Sequence, residues 1–390
     1  MLSALVTLIS VYLYSKSRNE QLKSDGYRVL EGAWYSSFST KLFFVFVVWV
    51  WVQSLWAIND RYHGEYAVMV TKFLLLIYLI NKSVMTKQDF EHVLLAHIIG
   101  CAFFGYLGLS HSSGRFESAP TPGMSDGNLL SIHMSPFLIS AGFLLLIYQG
   151  KKRFMVIPFL ALTLNAIFLT QSRGALVGLA AAAAVLLFFI PKHKKQILYF
   201  FGVVAIIGGS AIVGDQFMQR LAQTTSNPDT GEMEESAESR IHIIQSQIEM
   251  VKDQPIIGYG HYATLFLSPI YLDEKWMTSV GGKSARGSHN LTMSILVDHG
   301  IIGSIPYFGA ILWLFWKALR LRKQVVHGGK DVYILLLASA LGLWNLMVTT
   351  QFANAVRLEV VIWYIALTAM AIRFSEQEVK VSPQNKKVFS

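Results

Sequence analysis

A chain of 390 residues in which 53% of side chains are hydrophobic and 15% charged, with a mean hydropathy of +0.44, carries too much apolar surface for a water-soluble fold, where about 25% of residues are charged. Its single cysteine, Cys101, excludes an internal disulfide framework and a thiolate metal site. The formal net charge of +9 lies in short basic clusters between apolar runs, which is the pattern of membrane anchors and not of a nucleic-acid surface.

A bilayer crossing needs roughly 20 apolar residues. Runs of that kind, the first and third of them short, fall near 1–14, 41–58, 66–80, 92–109, 129–148, 154–170, 174–190, 197–213, 291–317, 332–350 and 358–374. They predict an all-α polytopic transmembrane bundle of about 11 spans, with 10 to 12 as the range. The chain reads as a single membrane domain over 1–390, with one large loop at 214–290 between spans 8 and 9 carrying interfacial helices, and a tail at 375–390. Met1 to Tyr14 has no basic leader and no small-residue cleavage site, so it reads as a short span and not as a signal peptide.

Most of the 33 lysines and arginines fall on one side of this segmentation, in clusters such as Lys151 to Arg153, Lys192 to Lys195 and Lys317 to Lys330. By the positive-inside bias that side is cytoplasmic, which places the C-terminal tail inside and the large loop outside. This orientation also puts the N-terminus outside.

Three outward positions carry residues too costly to be incidental. Thr170 to Ala175 is an abrupt polar break between two apolar runs, and it forces Arg173 to the edge of the hydrocarbon at the start of a helix. An anion there meets a guanidinium, free N–H groups and the positive end of a dipole. The alternative is an arginine snorkelling to lipid headgroups. In the loop, apolar residues at 241, 244, 248 and 251 predict an amphipathic helix lying apolar face down, with Ser239 as its cap and Pro255 as its stop. Arg240 then sits in the first turn, where a bound phosphate offsets the dipole; pairing with Glu234, Glu235 or Glu238 is the other reading. The third is Arg286 to Asn290, where His289 stands at the next outward helix start, a location that keeps an imidazole neutral and suits a general base. A purely structural interfacial histidine is the competing reading. Arg286 itself either adds to an anion site or pairs with Asp273 or Glu274.

No metal or cofactor is predicted. His261, His289 and His299 do not share a helical face, no HExxH spacing occurs, and no phosphate-cradling GxxxxGK[ST] loop is present. Tyr259, Tyr262, Tyr271 and Trp276 fit interfacial anchoring better than sugar stacking.

The order of these elements resembles a known family. An SRGA turn at Ser172 to Ala175, SRI at Ser239 to Ile241, DQPIIGYG at Asp253 to Gly260 and SHNLTMSILVDHGIIG at Ser288 to Gly303 are similar to the O-antigen ligase and polymerase superfamily. Gly114 to Asn128 resembles the outer loop before that family's fifth span, and Asp298 stands where a glutamate is common. The resemblance implies that Arg173 and Arg240 hold the diphosphate of an undecaprenyl-linked glycan and that His289 works beside the acceptor; Arg286, read from its place in the chain, ranks below them as a further candidate for the diphosphate. It implies an inverting, metal-independent transfer at the periplasmic face of the bacterial inner membrane, to lipid A-core or another glycan. Partners are then the lipid-linked donor, the acceptor and membrane lipids, with no nucleic acid. A polymerase of the same superfamily shares these motifs. A lipid-linked glycan transporter is the reading from a different class, although transporters gather polar residues at broken helices near the midplane.

Overall fold

The computed structural model describes residues 2–110, 116–117, 126–189, 235–280, 283–325 and 330–388. It is built from α1 (Leu2–Ser24), α2 (Phe38–Gln53), α3 (Asp60–Ser83), α4 (Lys87–Gly108), α5 (Gly127–Gly142), a short α6 (Leu144–Ile147), α7 (Lys151–Leu169), α8 (Arg173–Phe189), α9 (Glu235–Asp253), α10 (Ala263–Tyr271), α11 (Leu291–Val325), α12 (Lys330–Thr349) and α13 (Glu359–Val388). Among the described residues the only sheet is a two-stranded antiparallel ribbon, β1 (Thr278–Val280) and β2 (Lys283–Ala285), in which Ser279 opposes Ser284. The chain is therefore an all-α polytopic protein.

Helices dominate because hydrocarbon leaves backbone polar groups no partner outside their own segment. Among the described residues, six stretches are long and apolar enough to cross a membrane: α3, α4, α5 with α6, α7, α11 up to Arg322, and α12 extended to Phe352. The apolar runs at 41–58 and 174–190 fall on the shorter helices α2 and α8. The predicted crossing at 1–14 is part of a 23-residue helix whose later turns are polar, and it is not among the six. The predicted span at 197–213 lies outside the described residues.

In lipid the helices gain nothing from hiding apolar surface, so close packing holds them together and small residues mark the contacts. Gly105 of α4 lies against the backbone of Leu162 in α7, and Gly342 of α12 against the ring of Tyr364 in α13. Gly178 of α8 lies against Thr349 and Asn345 of α12. Polar links close the same core: Ser135 Oγ donates to Asn345 Oδ1 at 2.7 Å, and Tyr364 Oη donates to Ser140 Oγ at 2.8 Å.

The two ends of the bundle differ. At one end Arg18 pairs with Asp89 at 2.5 Å, Arg28 with Glu378 at 2.6 Å and Lys317 with Glu376 at 2.7 Å, while Arg373 donates to the Glu31 carbonyl at 2.6 Å. The opposite end gathers the starts of α5, α8 and α11, the end of α12, and the segment from α9 to the ribbon.

α11 is one long apolar run in sequence but not one helix in space. Gly300 interrupts it with φ 61° and ψ −171°. The gap is filled by the stretch after α9: Tyr259 N–H donates to the Val297 carbonyl at 3.1 Å, Gly260 N–H to Asp298 at 2.8 Å, and Ile301 N–H to Pro255 at 2.9 Å. A Cβ on Gly258, itself at φ 67°, would stand 2.5 Å from the Gly300 nitrogen, so both positions need glycine. Gln53, the last residue of α2, seals the crossing by donating to the carbonyls of Ile257 at 2.6 Å and Asp298 at 3.1 Å. The interruption thus lies at the C-terminal end of α2.

Candidate functional site

Arg173 is the first residue of α8, as the polar break predicts. Thr170 and Ser172 are buried beside it, and Gln171 takes a left-handed φ of 50°, which turns the chain sharply between α7 and α8. Gly174 packs on the side chain of Phe352, where a Cβ would stand 2.7 Å away. The neighbouring Gln351 accepts from Thr292 Oγ1 through its Oε1 at 2.8 Å, and its carbonyl lies 3.3 Å from Asn290 Nδ2. One residue before Asn290 is His289. The turn at 350–352 therefore ties the start of α8 to the start of α11 and holds Arg173 and His289 at the same end of the bundle.

Asn290 caps α11, its Oδ1 accepting from Met293 N–H at 2.9 Å. His289 sits just outside that cap, half-buried. Its imidazole is pushed down to about 4 by burial first, then by the charges of Arg240 and Arg286, with Asp126 at the start of α5 acting in the opposite direction. The ring is thus neutral near pH 7 for a reason other than the helix dipole expected from sequence: it shares its surroundings with two guanidinium groups. Arg286 Nε is buried with no hydrogen-bond partner among the described residues, and Arg286 makes no ion pair with Asp273 or Glu274. Its backbone N–H is fixed by Ser268 Oγ at 2.8 Å, which aims the residue from the end of the ribbon.

Arg240 reaches this site from a helix that differs from the sequence reading. α9 runs back at least to Glu235, so Ser239 is not its cap and Arg240 lies in the second turn, beyond the dipole's reach. The residues Glu235 to Glu238 are adequate helix formers, and packing of α9 on α10 and α11 carries them into the helix. The face buried against protein holds Ser239, Ile243, Ser246, Gln247 and Met250, whereas Ile241 and Ile248 of the predicted apolar stripe are 43% and 40% exposed. Gln247 Nε2 donates to Thr264 Oγ1 at 3.1 Å, and Met250 packs with Ala263 of α10 and Val297 of α11.

Sequence reasoning passed over Asp126, Gln351 and Arg357. The last lies 5.8 Å from the Tyr262 ring centroid, in a polar stretch between two apolar runs that has the same character as the break at Arg173. Of the aromatic residues, Trp276 is buried against Ile243 and Leu272 and stacks on His242 at 4.8 Å, and Tyr262 stacks on Tyr62 at 5.6 Å. Both brace the loop.

Two cations, Arg240 and Arg286, act on a neutral base at the start of α11, with Asp126 as the carboxylate acting in the opposite direction. Such a site suits an anionic group with a hydroxyl or water to be deprotonated beside it. Histidine-labelled NMR tests the arrangement: His289 is expected to titrate near 4, and Arg286→Gln, by removing a repelling charge, is expected to raise that value. An unmoved titration in the variant would separate the two residues.

Residues 158–308 match a family model described as O-antigen ligase. The matched stretch contains Arg173, Arg240, Arg286 and His289. No curated protein matches the chain.

Proposed function

We propose, from the premise that this chain carries an O-antigen ligase domain across residues 158–308 and so belongs with that superfamily of membrane enzymes, that it is an inverting ligase. It moves a glycan from undecaprenyl diphosphate to a sugar hydroxyl of lipid A-core. The site faces the periplasm from the bacterial inner membrane, an orientation supported by the basic clusters at the opposite end of the bundle.

The observation that carries this reading is the neutral His289 held between the influences of Arg240 and Arg286. Arg173, Arg240 and Arg286 bind the diphosphate through forked guanidinium groups, taking the part that a metal ion plays in other diphosphate chemistry. As the bond from the anomeric carbon to the diphosphate oxygen breaks, charge grows on that oxygen and the fixed cations stabilise it. The acceptor hydroxyl attacks from the opposite face and gives its proton to His289. Burial first, and then the two cations beside it, make the imidazole a weak base in the free enzyme. The donor's diphosphate offsets the cations' share of that effect, so His289 gains basicity when substrate is in place.

Lipopolysaccharide from a deletion strain tests the assignment. Bare core with lipid-linked polymer accumulating is the expected pattern. Core bearing a single repeat unit would make the protein a polymerase, and an unchanged ladder would move the acceptor away from lipid A-core.

A further inference from the structure

The break in α11 holds a second group of polar side chains that glycan transfer does not use. His261, Asp298 and His299 are 2%, 3% and 0% exposed, and each offers a ligand atom within 4.8 Å of the other two. Their neighbours decide which atoms are available. The amide of Gln53 is oriented by the two carbonyls its Nε2 donates to, so its Oε1 faces His299 Nδ1 at 2.5 Å and can only accept. Nδ1 therefore carries the hydrogen, and Nε2 of His299 is left as a buried lone pair with no hydrogen-bond partner among the described residues. Both ring nitrogens of His261 are buried without one as well.

Asp298 is held in place from elsewhere. Its Oδ2 accepts from Tyr262 N–H at 3.2 Å and its Oδ1 from Ala263 N–H at 3.0 Å, and each oxygen keeps a lone pair. His63 is already committed, with Nε2 2.8 Å from the Val50 carbonyl and Nδ1 accepting from His261 N–H at 3.0 Å. The ring of Tyr66 walls the group, stacked 3.8 Å from His261 and 5.5 Å from His299. Unpaired buried acceptors facing one carboxylate call for something positive between them.

The geometry points to a site for a zinc-class divalent cation, held by His261, Asp298 and His299 with a water as the fourth ligand, that fastens the 255–263 stretch to the break in α11. Two imidazole nitrogens and one carboxylate are a donor set that such ions take, with bonds of roughly 2.0 to 2.2 Å that place ligand atoms about 3.4 Å apart at tetrahedral angles. His261 Nδ1 and Asp298 Oδ2 stand 3.3 Å apart, already at that spacing, though not aligned as a hydrogen bond. Gln53 plays the part of the outer carbonyl that orients a ligating imidazole. The sequence offered no sign of this group because its ligands come from two segments that meet only at the helix break.

Metal analysis of the full-length protein, purified with a tag that lacks histidine, tests the site independently of any transferase activity. About one zinc per chain is expected, retained through gel filtration, and cobalt in its place should give the visible absorption of a tetrahedral ion. His299→Ala should lose the metal, while His289→Ala keeps it. Wild-type protein that is monodisperse yet holds less than about a tenth of an equivalent after incubation with zinc would overturn the proposal. So would undiminished zinc in a folded His299→Ala variant.

Discussion

His289→Ala is expected to lower glycan transfer by a factor of roughly 10² to 10⁴, the usual contribution of a positioned base, while the protein remains folded and inserted. The side chain stands outside the Asn290 cap, and the hydrogen bonds that start α11 come from Asn290 and Ser288. Removing the imidazole therefore takes away the proposed proton acceptor and leaves the helix start intact. A purified assay with lipid-linked donor and acceptor reads the effect. Transfer at the wild-type rate would remove His289 from the mechanism.

Arg173→Lys is expected to cost roughly 10²-fold or more in turnover, because it keeps the charge but loses the planar fork that matches two phosphate oxygens at once. The backbone cannot shift to compensate. Gly174 is packed on Phe352 and Gly178 on Thr349 and Asn345, so α8 cannot slide along α12 to bring a shorter donor set forward. Near-normal activity would favour the reading in which Arg173 only snorkels to lipid headgroups.

Helix positions were largely legible because lipid imposes both length and composition on a crossing. The runs at 154–170 and 332–350 correspond to Lys151–Leu169 and Lys330–Thr349, each within a few residues. The helix starts at Arg173 and Leu291 were legible for the same reason, since a polar break between two apolar runs has nowhere else to go. That logic located Arg173 and His289.

What failed to show in sequence depends on contacts between distant segments. Gly300 follows Asp298 and His299 inside the predicted span at 291–317, and hydrophobicity carries no record of a positive φ. The sequence predicts that Ser239 caps α9, but the helix starts at least four residues earlier, and the protein-facing side of α9 is the one holding 243, 247 and 250, a choice made by α10 and α11. Asp126 and Gln351 join the site only because the turn at 350–352 and the starts of α5 and α11 come together in the fold, and Arg357 reaches the Tyr262 ring by the same kind of long-range contact. Local spacing also separated His261 from His299, which the helix break unites.

The most direct test is the affinity of purified protein in lipid nanodiscs for undecaprenyl diphosphate, the leaving group of the reaction proposed above. Arg173→Gln, Arg240→Gln and Arg286→Gln should each weaken binding by about tenfold or more, as loss of a charge-assisted pair of hydrogen bonds does, with His289→Ala binding as tightly as wild type. Unaltered affinity in all three arginine variants would contradict a diphosphate held by these guanidinium groups.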